Sequence, residues 1–189
     1  MMRLMRWLLP LAAAATLFAA GTIPGQEIAL RVDPAQTTVE FVLPTTLHTV
    51  HGSFHLKRGG LRFDPSGTGT GELVVDAASG ESGSEGRDKR MHSSVLQSVT
   101  FPEIVFRPDR VIGKVAAQGK SEVELHGMFS IHGTEHELTV PLQVEAANGQ
   151  YTATGTFKVP YIKWGLKNPS TLFLRVNDTV EITIHTVAR

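Results

Sequence analysis

Three of the chain's eight histidines fall within ten residues, at His48, His51 and His55, and these residue types suit metal binding or proton transfer. On an extended strand rising roughly 3.3 Å per residue, His51 and His55 lie about 13 Å apart. Because ligands lie about 2 Å from a metal ion, these two side chains cannot share one. His48 has the opposite parity, and His126 and His185 also alternate outward. The pattern predicts solvated surface histidines and no metal site.

A second group of reactive side chains lies in the segment GRDKRMHSSVL, which offers Arg87, Asp88, His92, Ser93 and Ser94. Residues four apart face one another on a helix, so Asp88 and His92 are spaced to hydrogen-bond as in a hydrolase. A hydrolase serine of this kind needs a Gly-x-Ser-x-Gly turn between a strand and a helix, and the sequence has none. An exposed helix with ordinary ion pairs explains these residues better, and we predict no catalytic site.

Strands must position most of these side chains, because apolar and polar residues alternate with a period of two from Gln26 onward. Such alternation is typical of antiparallel strands with one dry face and one wet face. Asn148-Gly149 predicts a two-residue hairpin turn, and the segments RGG and DPSGTGTG predict loops. Eight strands at this spacing predict an all-β sandwich or barrel. The predicted strands cover residues 38–43, 50–57, 72–77, 103–107, 123–131, 136–145, 151–159 and 179–186.

Residues 79–99 break the alternation. Met91, Val95 and Leu96 fall at helical spacing, and Ser82 with Glu85 fits a capping box at a helix start. We predict a Gly/Ser loop followed by one short helix, which beside a barrel would cap an open end.

Composition limits the function classes. The chain has 189 residues, 18 basic and 18 acidic side chains, and no cysteine. One domain with its own core is expected at this length. A net charge of zero disfavours nucleic-acid binding and electrostatic docking on anionic lipid. The absence of cysteine excludes disulfides, thiolate metal sites and a cysteine nucleophile.

The first 25 residues have the pattern of a secretory signal peptide. Arg3 and Arg6 precede an uncharged apolar run from Trp7 to Gly21, which ends in small residues. We expect cleavage near Ala20 or Gly21, because a 15-residue run is short for a bilayer-spanning helix. An uncleaved anchor is the alternative. The domain then covers residues 26–189, in a secreted protein or, in a bacterium with two membranes, in the periplasm.

Four segments, in order, resemble the YceI-like family. They are VDPAQTTVEFVLPTTLHTVHGSFHLKRGGLRFDP, GRDKRMHSSVLQSVTFPEIVFR, LHGMFSIHGTEHELTVPLQV and GTFKVPYIKWGLKNPSTLFLRVNDTVEITI, which together span about Val32 to Ile184. Two short segments depart from the family pattern: LQSV, where Asp-Phe-Phe is common, and KWG, where Asp-Phe-Gly is common. The resemblance implies a lipocalin-like, eight-stranded antiparallel barrel in an exported bacterial protein without demonstrated catalysis. It also implies a bound polyisoprenoid or similar long amphiphile.

Inward parity selects the residues that would line such a barrel. Trp164 is expected beside a mouth of the barrel, and His48, Arg87 and His92 are candidates for contact with a ligand's head group. The expected apolar lining is Val39, Phe41, Phe54, Leu73, Val75, Phe106, Leu125, Phe129, Val140, Phe157 and Ile182.

The expected ligand is a polyisoprenoid, an isoprenoid quinone or a fatty amphiphile, with no further cofactor. We expect no nucleic-acid partner and no stable membrane insertion once the signal peptide is removed. A homodimer is plausible if barrel closure leaves one strand edge unpaired. Alternation alone does not distinguish a hollow barrel from a filled one. A secreted β module with a packed core therefore stays an alternative, and a hydrolytic or metal-dependent enzyme stays a more remote one.

Overall fold

The computed structural model of this chain describes residues 27–189. The predicted signal peptide lies outside the described residues. Within the described part, no helix combines the length and the apolar character needed to cross a bilayer.

Nine strands, all antiparallel, make up most of the domain, and the helical segments are short. A 3-10 turn covers Pro34–Gln36, helix α1 covers Glu85–Arg90, and a π-helical turn continues it over Met91–Leu96. The strands are β1 (Ile28–Arg31), β2 (Thr38–Pro44), β3 (Thr49–Phe63), β4 (Gly69–Glu81), β5 (Glu103–Ile112), β6 (Gly119–Ile131), β7 (Thr134–Ala147), β8 (Gln150–Val159) and β9 (Val180–Ala188).

Eight of these strands close into a barrel. The order is β3-β2-β9-β8-β7-β6-β5-β4, and β4 pairs with β3 again to complete the circle. This confirms the predicted all-β, eight-stranded antiparallel, lipocalin-like barrel, with one short helical segment at one end. All eight predicted strands are present, and several extend further than the alternation indicated.

The additional strand, β1, was not predicted. It pairs with β3 beyond the point where β2 begins, with Leu30 opposite Leu61, while Arg31 exchanges backbone hydrogen bonds with Arg189 after β9. Asp33 accepts a hydrogen bond from the backbone N–H of Ala35 and starts the 3-10 turn, and Pro34 has no N–H to give a sheet. β1 and β2 therefore share one position in the sheet, between β3 and β9, and the 3-10 turn separates them.

The predicted parity agrees with the burial of the strands. On β7, Val140 and Val144 are buried while Thr139 and Gln143 are exposed. The Asn148-Gly149 turn is confirmed, with both φ angles positive, at 52° and 74°, as a type I′ hairpin requires.

The prediction of a loop at RGG was wrong. Residues 58–60 lie inside β3, which continues to Phe63. A Cβ at Gly59 would lie 2.8 Å from side-chain atoms of both Val32 and Leu73, so only glycine lets this strand pass so close to its neighbours. The same local residue types that end strands elsewhere serve here to permit close packing.

The predicted capping box was also wrong. Ser84 precedes α1 without a side-chain cap, and Ser82 instead hydrogen-bonds to the carboxylate of Asp88. The predicted apolar face is confirmed, since Leu96 is buried in the core and Met91 and Val95 pack against it.

The two ends of the barrel differ. We call the end that carries α1 the helix end and the other the hairpin end. The helix end comprises residues 45–48, 82–102, 132–133 and 160–179, and the hairpin end comprises residues 64–68, 113–118 and 148–149.

Candidate ligand-binding cavity

The barrel is hollow. A cavity of about 950 Å³ occupies its interior and reaches from Pro65 and Val111 near the hairpin end to Thr45 and Arg87 at the helix end. Drug-sized ligands occupy cavities of roughly 300–1,000 Å³, so this volume suits a long, slim molecule.

Aromatic and aliphatic side chains form the wall. The rings of Phe41 and Phe54 lie 5.5 Å apart between centroids, and those of Phe129 and Phe157 lie 6.4 Å apart. Phe157 and other wall residues are only partly buried although they point inward, because their free surface faces the cavity. The wall therefore offers apolar surface that has no protein partner.

The structure brings most of the predicted site residues to this cavity. His48 and Arg87 lie at the helix end, and the others lie along the wall. Whether a ligand touches them stays a prediction. The thirteen that line the cavity are Val39, Phe41, His48, Phe54, Leu73, Val75, Arg87, Phe106, Leu125, Phe129, Val140, Phe157 and Ile182.

His92 lies outside the cavity wall. Its Nε2–H donates to the backbone carbonyl of Gly80 at 2.8 Å, and its Nδ1 lies 3.2 Å from the Ser98 hydroxyl oxygen. A carbonyl only accepts hydrogen bonds, and this fixes the proton on Nε2. His92 thus ties the helical segment to the end of β4 and to the loop before β5, instead of facing a ligand.

Trp164 also lies outside the cavity wall. Its indole stacks on the His136 imidazole and lies 5.6 Å from the ring of Phe129. Trp164 therefore packs behind a wall residue and covers this side of the helix end. The sequence predicted that both His92 and Trp164 lie near the opening. It could not predict where these side chains point, because the direction of a loop or helix side chain depends on tertiary packing.

Polar groups line the cavity at both ends, and at the hairpin end they are Asp64, Ser66 and Lys114. We call the helix end of the cavity the mouth and define it by Thr45, His48, Arg87, Arg90 and Thr171, which all line the cavity there. The long wall of the barrel is apolar by comparison. A ligand with an apolar tail and a polar head would match this division.

Arg87 is held in place at the mouth. Its Nε donates to the Ser82 hydroxyl at 2.7 Å and its Nη2 donates to the Ser82 carbonyl at 2.9 Å. Burial opposes ionisation of Asp88, but hydrogen bonds from Ser82 and the charges of Arg87 and His92 outweigh it and lower the pKa of that carboxyl. Arg87 is thus a fixed, charged group at the mouth, and Ser82 links it to the Asp88 carboxylate.

Tyr161 is a cavity residue that the sequence reasoning missed. It follows β8, is buried, and donates its hydroxyl to the backbone carbonyl of Asn177 at 2.6 Å. Burial, and then the charge of Asp178, raise the pKa of Tyr161 to about 12. Leu43 and Leu138 were missed too, although both share the inward parity that identified their neighbours.

The catalytic alternative has no support in the geometry of α1. Asp88 is hydrogen-bonded to Ser82, and His92 to Gly80 and Ser98, so these two side chains do not form the pair that their spacing allowed. Across residues 27–189, no three His, Asp or Glu side chains are grouped so as to hold a metal ion.

The sequence matches the YceI-like domain family over residues 30–188. The chain belongs to this family. No curated protein matches the chain.

Solved structures share the YceI-like fold. BcnA of Burkholderia cenocepacia has a TM-score of 0.69 at 20% identity, covering 84% of this chain and 99% of BcnA. A domain of Saccharophagus degradans is described as polyisoprenoid-binding and implicated in plant cell wall breakdown. It has a TM-score of 0.64 at 14% identity, and the match covers 85% of this chain and 97% of that domain. The YceI protein of Campylobacter jejuni has a TM-score of 0.57 at 16% identity, and the match covers 73% of this chain and 83% of that protein. At these identities the likeness establishes the barrel fold.

Proposed function

We propose that this protein is an exported carrier that holds a polyisoprenoid, an isoprenoid quinone or a similar long-chain amphiphile inside its barrel. The observation that carries this proposal is the apolar cavity of about 950 Å³ along the barrel axis. The polyisoprenoid-binding description of the Saccharophagus degradans domain, which has the same fold, supports this ligand class. The signal-peptide pattern of residues 1–25 supports export to the periplasm or beyond.

The apolar wall is sufficient to hold the tail. Burying about 20 methylene groups at roughly 0.8 kcal/mol each contributes on the order of 16 kcal/mol before costs. Fixing a flexible ligand offsets about half of this or more. The remainder corresponds to micromolar affinity or better. The tail therefore supplies the affinity without any buried polar contact.

The head group is proposed to lie at the mouth. Arg87 and His48 both line the cavity there, and Arg90 adds a second guanidinium that the sequence reasoning did not select. Arg87 is already oriented by Ser82, so it can meet a head group without first losing its freedom of movement. These donors suit a quinone carbonyl or a phosphate oxygen.

The alternative of a packed core disagrees with the hollow interior. An interaction module without ligand would bring the inward faces of opposite strands together at ordinary packing density. The enzyme alternative rests on Asp88 and His92, whose hydrogen bonds are made to other residues.

Native mass spectrometry of protein purified from the periplasm, made from the full sequence, tests the carrier. We expect a fraction of the protein to carry an extra mass that lipid extraction releases and identifies as an isoprenoid or another long amphiphile. Protein without added mass, which also fails to take up an added prenyl quinone, would contradict the proposal.

A further inference from the structure

Large apolar side chains are exposed mainly at one end of this barrel. Leu47, Leu172 and Phe173 are 75%, 90% and 86% exposed, and all three lie on loops at the helix end. Val99 is also fully exposed at this end, whereas the other exposed large apolar side chain among the described residues is Ile112, the last residue of β5, next to the hairpin end. Single exposed apolar residues are common, but several at one end indicate an interaction surface.

The loops that carry these side chains are joined to each other. The backbone N–H of Thr46 donates to the carbonyl of Arg175 at 3.0 Å, and the N–H of Arg175 donates to the Thr46 hydroxyl at 3.3 Å. Leu47 is the next residue after Thr46. Leu172 and Phe173 occupy the tip of a turn in which the N–H of Thr171 donates to the carbonyl of Leu174 at 2.8 Å.

The same two loops border the cavity. Thr45 and His48 flank Leu47 and line the cavity, and Thr171 and Leu174 flank the other exposed pair and line it as well. The exposed side chains therefore project from the rim of the mouth, beside the opening through which a ligand would pass.

The charge near this rim is positive. Residues 160–179 contain one acidic side chain, Asp178, and three basic ones, Lys163, Lys167 and Arg175. All three are exposed, and no carboxylate among residues 27–189 forms an ion pair with them. Helix α1 adds three basic residues against two acidic ones. Overall neutrality disfavours attraction of the whole protein to anionic lipid, but it leaves this local asymmetry in place.

We propose that the helix end docks reversibly on an anionic phospholipid bilayer, with Leu47, Leu172 and Phe173 in the interface. Lys163, Lys167 and Arg175 then contact lipid phosphates around them. Apolar side chains ringed by basic ones bind such interfaces by burial and charge together. In this orientation the mouth faces the membrane, and an apolar ligand moves between bilayer and cavity without crossing water.

Vesicle co-sedimentation tests the docking, and it does not depend on which ligand the cavity holds. Protein purified after export is mixed with vesicles of phosphatidylcholine alone or of equal parts phosphatidylcholine and phosphatidylglycerol. We expect binding to the mixed vesicles that weakens in high salt. A double variant, Leu172→Gln with Phe173→Gln, should bind them about tenfold more weakly or worse. Lys167→Glu with Arg175→Glu should abolish the preference for phosphatidylglycerol.

Matched controls lie on β5 and β6, next to the hairpin end. Ile112→Gln removes an exposed apolar side chain there, and Lys120→Glu reverses an exposed charge, so both should leave vesicle binding unchanged. The proposal is overturned if wild-type protein ignores the mixed vesicles or if the two sets of variants behave alike. It is overturned as well if the Leu172 and Phe173 substitutions disrupt a dimer present without lipid. Thermal unfolding of each variant identifies any that are misfolded.

Discussion

His136 and Trp164 stack face to face, with ring centroids 4.3 Å apart and ring planes only 3° from parallel. The imidazole lies near the start of β7 and the indole lies after β8, so the stack fastens the connection 160–166 to the barrel. The Nε2 atom of His136 is buried and has no hydrogen-bond partner among the described residues. The imidazole thus contributes a flat surface for packing, and its buried Nε2 makes no hydrogen bond that would stabilise the fold.

We predict that His136→Phe raises the free energy of unfolding by about 1 kcal/mol, because it keeps the ring contact and removes a buried polar atom without a partner. His136→Ala should lower the same quantity by about 1 kcal/mol through loss of the stacked pair. Urea denaturation measures both, with the exposed neighbour Glu137→Ala as a control that should stay near wild type. A loss of stability in His136→Phe would show that the nitrogen is engaged after all.

A bulky side chain inside the cavity should prevent ligand loading. Leu142 lines the cavity on β7, and its neighbour Gln143 is exposed on the outside of the barrel. We expect Leu142→Trp to reduce the bound lipid seen by native mass spectrometry about tenfold or more, while Gln143→Trp leaves it unchanged. Equal loading of the two variants would place the ligand outside the barrel.

Glycine at position 52 is required by its neighbours. A Cβ there would overlap the Phe41 ring and the Glu81 carbonyl oxygen, whereas a Cβ at Gly60 on the same strand would find its nearest atom 3.9 Å away. We predict that Gly52→Ala lowers the free energy of unfolding by about 2 kcal/mol or more. Gly60→Ala should change it by less than about 1 kcal/mol. Similar losses in the two variants, compared by chemical denaturation, would contradict this.

Tyr161 should make stability depend on pH in the alkaline range. Its pKa is raised to about 12 by burial and by Asp178, above the usual value of 10.0. The contribution of Tyr161 to stability is therefore fully present below pH 10 and decreases as the pH rises from 10 to 12. In that range the unfolded state has released the hydroxyl proton while the folded state still holds it.

Comparison with Tyr161→Phe isolates this contribution, because the two proteins differ in one hydroxyl. Between pH 9 and pH 12, denaturation should show a steeper loss of stability in the wild type than in the variant. At neutral pH the variant should be about 1 kcal/mol less stable, since it lacks the hydrogen bond to the Asn177 carbonyl. Parallel pH profiles would be the contradicting result.

The strands and their inward faces could be predicted from the sequence because burial of one face imposes a period of two. Phe41 and Ile182 share this parity and are paired across β2 and β9 in the structure. The family resemblance supplied the barrel, which the alternation alone left open against a sandwich. The hollow interior was beyond prediction from alternation, since the same inward residues suit a packed core.

Predictions at the helix end were less successful, because that end is built from long-range contacts. The hydrogen bond of His92 to Gly80 and the stacking of Trp164 on His136 join residues that are distant in sequence. The short strand β1 was missed because four residues are too few to show a clear period of two. Arg90 was missed although its position on α1, three residues after Arg87, gives both side chains the same face.

The pairing of β2 with β9 places Phe41 opposite Ile182, so the first and the last regions of the barrel in chain order must meet to close the circle. Until β9 is available, β2 and β8 each present an open edge, and the chain is a curved, unfinished sheet. Contacts between residues so far apart in sequence also form slowly. The compartment for a ligand is therefore complete only when β9 has paired with both β2 and β8.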